Sequence, residues 1–137
     1  MSTADNSIES ATAFAQHFLR VFENLDLAAF LHCFADDATV FFPAPEPASR
    51  FAGRQAIGER FERVFEGIRA GAASGPPWHR LDAEELAVQL LSPDAAVVTF
   101  HLRNEVRIAR RSLVLRRTDA GWRIAHLHAS NAAIADG

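Results

Sequence analysis

The stretch "ARRSLVLRRTDAGWRIAHLHAS", residues 109–130, reads as two long β-strands around a turn. From Ile108 to Arg117 apolar and polar residues alternate well, the two-residue period of a strand with one buried face. "TDAG", residues 118–121, supplies turn chemistry, and Trp122 to Ala129 closes the sheet. Upstream, Ala95 to Arg103 alternates in part. "SPD", residues 92–94, sets a proline at the second position of a turn. Trp78 to Leu91 predicts one more strand with a polar start. Four strands in succession, joined by short turns, predict antiparallel pairing.

The first half of the chain is mostly helical. Residues 1 to 6 are polar and expected to be loose. From Ser7 the residues Ala11, Phe14, Phe18, Val21, Phe22 and Leu25 recur at three- and four-residue spacing and form one apolar stripe. Asp26 can cap a short second helix with Ala29, Phe30, Cys33 and Phe34 on its apolar face. Asp36 and Asp37 read as the turn that ends it. "ATVFF", residues 38–42, is a strand that Pro43 stops. A loop follows, with a short strand near Arg50 to Ala52. Gly53 then opens a third helix, residues 54 to 69, with Ile57, Phe61, Val64, Phe65 and Ile68 inward. "AGAASGPP", residues 70–77, is a flexible connection. Helices followed by a run of antiparallel strands indicate an α+β fold. Such a sheet must curl around its helices, leaving a cone-shaped pocket between them.

The 137 residues predict a single domain, 1–137, and 49% hydrophobic content is enough for a core. A net charge of −3 and no evident basic face argue against nucleic acid as a partner. The apolar runs are too short to cross a bilayer, and the expected localisation is cytoplasmic. The single Cys33 fits a reducing compartment and a buried structural role. With 11 Phe and no Tyr, any mechanism that needs a phenol is excluded.

Two motifs at opposite ends carry a family resemblance. "FADDATVFFP" (34–43), followed by "GRQAIGERF" (53–61), resembles a segment of ketosteroid isomerase. The hairpin 109–130 resembles the C-terminal strands of SnoaL-like proteins and of the calmodulin-dependent kinase II association domain. The chain thus resembles the NTF2-like superfamily from about Ser7 to Ser130. The resemblance implies a cone of three N-terminal helices on a strongly curved mixed or antiparallel sheet. It leaves function open, because this fold hosts enzymes, carriers and oligomerisation modules.

Ketosteroid isomerase chemistry needs a carboxylate base and two donors, a tyrosine and a protonated aspartate, to hold a dienolate oxygen. Matched onto this sequence, the base position is Phe42, the tyrosine position is Phe18, and the third falls on Ser112. Phenylalanine neither exchanges a proton nor donates a conventional hydrogen bond. The isomerase mechanism is therefore expected to be absent. His17, beside Phe18, and His32 are the candidate catalytic groups that remain.

The resemblance implies a ligand pocket lined by Phe14, Phe18, Phe42, Phe61, Phe65, Phe100, Leu102, Ser112, Val114, Arg116 and Leu127. It also implies a homodimer through the outer face of the sheet, where Trp122, Ile124, His126 and His128 are expected to share one parity. The two histidines with His101 could approach a metal, but no carboxylate at clear spacing completes a set, so no metal is expected. No phosphate loop or other cofactor motif appears. Three readings stay open. One is a module binding a small hydrophobic molecule. Another is a cyclase, isomerase or hydratase acting on a polyketide or aromatic substrate. The third is a dimerisation scaffold whose own phenylalanines fill the pocket.

Overall fold

The computed structural model describes residues 3–43 and 50–134, with side chains from residue 6 onward. The elements run α1 (Thr3–Glu23), α2 (Leu27–His32), β1 (Phe34–Phe41), β2 (Arg50–Ala52), α3 (Arg54–Gly71), β3 (Ala83–Ser92), β4 (Ala95–Arg103), β5 (Arg107–Thr118) and β6 (Gly121–Ala133). The expected element order holds. Helix α1 starts at Thr3 rather than Ser7, and β3 starts at Ala83 rather than Trp78. The expected loop at residues 44–49 lies outside the described residues.

The strands form one mixed six-stranded sheet in the order β2-β1-β6-β5-β4-β3. β1 runs parallel to β6, and every other pairing is antiparallel. The three helices pack on one face of this sheet. The fold is the α+β cone that the two motifs imply.

Asp36 and Asp37 do not end a helix. α2 ends at His32, and both aspartates project from β1 as exposed residues. Each meets an arginine: Asp36 pairs with Arg54 Nη1 at 2.8 Å and Asp37 with Arg116 Nη2 at 2.9 Å. The turn reading failed because an ion pair to a neighbouring element lets an aspartate sit in a strand despite its low β propensity. Asp26 does cap α2, accepting the Ala29 N–H at 3.1 Å. Gly53 caps α3 at φ 90°, a conformation that strains any residue with a Cβ. A Cβ at Gly58 would come within 2.8 Å of Leu31 Cδ1, so glycine there sets the close approach of α3 to α2.

The helix side of the core centres on Phe30, which is fully buried. Its ring centroid lies 5.1 Å from Phe18, 5.1 Å from Phe22, 5.3 Å from Phe34, 4.7 Å from Phe61 and 5.1 Å from Phe65. The sheet contributes Ala96, Val98 and Phe100 from β4, and Leu113 and Leu115 from β5.

β5 and β6 fall out of step once. Leu115 pairs with Ile124 but Val114 pairs with His126, so Ala125 is an extra residue on β6. The bulge reverses parity along β6. Trp122 and Ile124 point into the core on one side of it, and Leu127 and Ala129 on the other. The expectation that Trp122 and Ile124 share the outer face with His126 and His128 is therefore corrected. Strict alternation carried through Ala125 places the tryptophan on the wrong side.

Phe30→Ala removes the ring that five others contact. We expect a loss of about 3–5 kcal/mol in urea unfolding. A loss below about 1 kcal/mol, the size of a surface change, would contradict this packing.

Candidate functional site

Between α1, α3 and the inner face of the sheet lies a cavity of about 510 Å³. Its walls are mainly apolar. Helix α1 supplies Phe18, Leu19 and Phe22, and α3 supplies Phe61, Val64 and Ile68. Phe42 and Pro43 flank one side. The sheet adds Phe100 and Leu102 from β4, Leu113 from β5, and Leu127 and Ala129 from β6.

Polar groups gather on part of the wall. They are His79, Arg80, Arg103, Asn104, Arg107, Arg111 and Asn131. No aspartate or glutamate lines the cavity among the described residues. Inward alternation along β5 runs Arg107, Ala109, Arg111, Leu113. An arginine at an inward parity breaks the apolar pattern, so periodicity alone points elsewhere.

The guanidinium of Arg111 is partly withdrawn from water. Burial, and then the charge of Arg107, lower its pKa to about 10. Its Nη1 donates to the backbone oxygens of Arg110 (3.0 Å) and Ser130 (3.2 Å), with Asn131 Oδ1 at 3.5 Å. All three acceptors are neutral.

The segment that carries His79, Arg80 and Leu81 is fastened to the end of α1. Glu23, 8% exposed, accepts the Leu81 N–H at 2.7 Å and the Arg20 Nε at 2.9 Å. The Glu23 backbone oxygen accepts the Trp78 N–H at 2.9 Å. His79 lies against Phe22, with its Nε2 at 3.0 Å from the Phe22 carbonyl oxygen and the two rings 5.2 Å apart. Its contact with α1 follows from Glu23, whose role nothing in the local sequence pattern signals.

Of the residues expected in the pocket, Phe18, Phe42, Phe61, Phe100, Leu102 and Leu127 line the cavity. Phe65 is buried in the ring cluster behind the wall, and Phe14 packs half-buried against the core. Ser112, Val114 and Arg116 are corrected. They alternate with Arg111, Leu113 and Leu115 and face the opposite side of the sheet. Ser112 instead lines a smaller hollow of about 250 Å³ with Glu85, Thr99, His101 and Arg110, which Phe100 and Arg111 border as well as the main cavity. The one-residue error came from matching across the 118–121 turn. His17 and His32 are also corrected: both are exposed and neither lines the cavity. His32 Nε2 instead lies 3.1 Å from Arg123 Nη2 on the surface.

On the outer face His126 Nδ1 lies 2.7 Å from Thr39 Oγ1. Desolvation and then the neighbouring His128 lower its pKa. No group of three potential metal ligands occurs among the described residues. Cys33 is buried, and burial raises its thiol to about 11, which keeps it protonated and unreactive near neutral pH. No helix among the described residues is long and apolar enough to cross a membrane.

Compared with known families, residues 11–135 match the model of the SnoaL-like domain. The chain belongs to the SnoaL-like family. Solved structures of this fold resemble it along nearly its whole length. An NTF2-like protein of unknown function from Pseudomonas putida superposes with a TM-score of 0.74 at 22% identity, covering 95% of this chain and 88% of that one. A protein described as a candidate dehydratase of the NTF2-like family, from Streptomyces avermitilis, gives 0.75 at 17% identity, covering 93% and 97%. A candidate ketosteroid isomerase from Parabacteroides distasonis gives 0.65 at 20% identity, covering 89% and 85%. At such identities the likeness is one of fold. No curated protein matches the sequence.

Glu23→Ala leaves the Leu81 amide and the Arg20 guanidinium without their shared acceptor. We expect a loss of about 1–3 kcal/mol and faster amide hydrogen exchange at Trp78 and Leu81. Unchanged exchange at both amides would contradict this anchoring role.

Proposed function

We propose that this SnoaL-like protein binds a small, largely apolar molecule in the 510 Å³ cavity. The observation that carries the reading is an open volume walled by Phe18, Phe22, Phe61, Phe100 and Leu127 beside a buried hydrophobic core. Its size falls within the range of about 300–1,000 Å³ typical of ligand sites. Aromatic walls favour ring-containing ligands through apolar burial and edge-to-face contact.

Steroid isomerisation is disfavoured by the same residues. Phe42 and Phe18 occupy the matched base and tyrosine positions, and neither moves a proton. The third matched position, Ser112, faces away from the cavity. We expect no turnover of 5-androstene-3,17-dione above the buffer rate. Efficient isomerisation would show that other groups supply the base and the donors.

Binding itself is tested by filling the volume. Ala129→Phe adds a ring to the cavity wall. The expected outcome is loss of the fluorescence enhancement of the neutral dye 1-aminoanthracene, with a cooperative unfolding transition retained. Equal dye binding by a folded Ala129→Phe variant would refute the cavity as the site.

A second reading is enzymatic turnover in the same cavity, and His79 is the observation that favours it. Its contact with the Phe22 carbonyl requires Nε2–H to donate, which leaves Nδ1 as the basic nitrogen. On this reading His79→Gln abolishes turnover and retains binding.

A homodimer through the outer sheet face is proposed on a smaller patch than the sequence suggested. Phe41, 39% exposed, lies against His126 and His128, with ring centroids at 5.5 and 5.3 Å. Phe41→Glu is expected to shift the mass measured by light scattering to that of one chain. An unchanged dimer mass would remove Phe41 from the interface.

A further inference from the structure

We infer that the ligand is an anion, an aromatic or aliphatic carboxylic acid whose carboxylate is held by Arg111 while its apolar body lies among the phenylalanines of the cavity. The inference rests on the cavity being a binding site and specifies what it selects.

The argument starts from charge. The described lining carries four arginines, Arg80, Arg103, Arg107 and Arg111, and no carboxylate. Two of the four have less need of a ligand. Arg103 already pairs with Glu84 at 3.1 Å, and Arg80 is exposed to water. Arg107 and Arg111 make no ion pair among the described residues. Of these two, Arg107 is exposed and Arg111 is partly withdrawn from water. A desolvated guanidinium beside a second one is in a costly position, and an anion relieves both the desolvation and the repulsion.

Geometry points the same way. The three contacts of Arg111 are all made by Nη1. They fix the plane of the guanidinium through the backbone of β5 and β6. Nη2 and Nε make no hydrogen bond to the described residues. These two parallel donors form the fork that receives a carboxylate in a bidentate pair. The Asn131 side chain meets the same guanidinium at Nη1, outside the fork, and Leu113, Leu127 and Ala129 form the adjoining apolar wall. A ligand with one charged end and one apolar body matches that division. A neutral ligand would leave the fork unfilled, and a cation would face like charges.

The test is titration calorimetry at fixed ionic strength. The panel contains aromatic and aliphatic carboxylic acids, each paired with its primary amide, with 2-naphthoic acid and 2-naphthamide as one pair. 1-Aminoanthracene serves as a neutral cavity probe. We expect the acids to bind about 10- to 100-fold more tightly than their amides, the size of a charge-assisted contact. Arg111→Met should erase that preference and leave probe binding intact. Amides that bind as tightly as acids would overturn the inference and keep the cavity reading. Failure of acids, amides and probe alike would overturn the cavity reading as well. Asn131→Asp provides an independent check that leaves the Arg111 stem in place, because it sets a carboxylate beside the guanidinium. The acid preference should fall while probe binding persists. An undiminished acid preference in a folded Asn131→Asp variant would overturn the assignment to Arg111.

Discussion

The fold turns on one step between two strands: Leu115 opposite Ile124, then Val114 opposite His126, with Ala125 left over. A strand with strict alternation can bury only one parity along its length. The bulge lets β6 bury Trp122 and Ile124 near its start and Leu127 and Ala129 further on. The first pair closes the core against the helices. Trp122 adds a hydrogen bond from Nε1 to Ser10 Oγ at 2.9 Å, which ties α1 to the sheet. The second pair faces the cavity. Without the bulge, one of these two tasks would have no side chains to perform it.

The sequence disclosed the architecture well because its signals are redundant. Apolar stripes on α1 and α3, the cap at Asp26, the alternation of β4 and the hairpin around residues 118–121 all point to the same layers. The phenylalanines of the cavity were legible for the same reason, since the inner side of each element is both core and pocket wall. Three features were less legible. The bulge at Ala125 has no residue that announces it, so Trp122 and Ile124 were placed on the wrong face. Asp36 and Asp37 look like turn residues until Arg54 and Arg116 are seen across from them. Arg111 resembles any other arginine of a basic strand, and only the pairing of Ser112 with His128 shows which parity points inward.

What results is a cavity with two chemistries. One part is aromatic and aliphatic, and Phe18 and Phe42 stand in it. Neither ring exchanges a proton or donates a conventional hydrogen bond. The other part is cationic. Its centre is a guanidinium held by backbone oxygens of two strands, whose Nε and Nη2 make no hydrogen bond to the described residues. The strap from Trp78 to Leu81 borders this part and is itself anchored by Glu23. Stability and site geometry are therefore linked, because the carboxylate that accepts from the Leu81 amide and Arg20 also fastens the segment that carries His79.

The most direct measurement is a crystal structure of the protein with a bound aromatic acid. The account predicts the carboxylate within hydrogen-bond distance of Arg111 Nε and Nη2, and the ring against Phe61, Phe100 and Leu127. An acid bound on the opposite face, beside His101 and Ser112, would contradict it. So would a cavity filled by the protein's own phenylalanines, with no ligand inside.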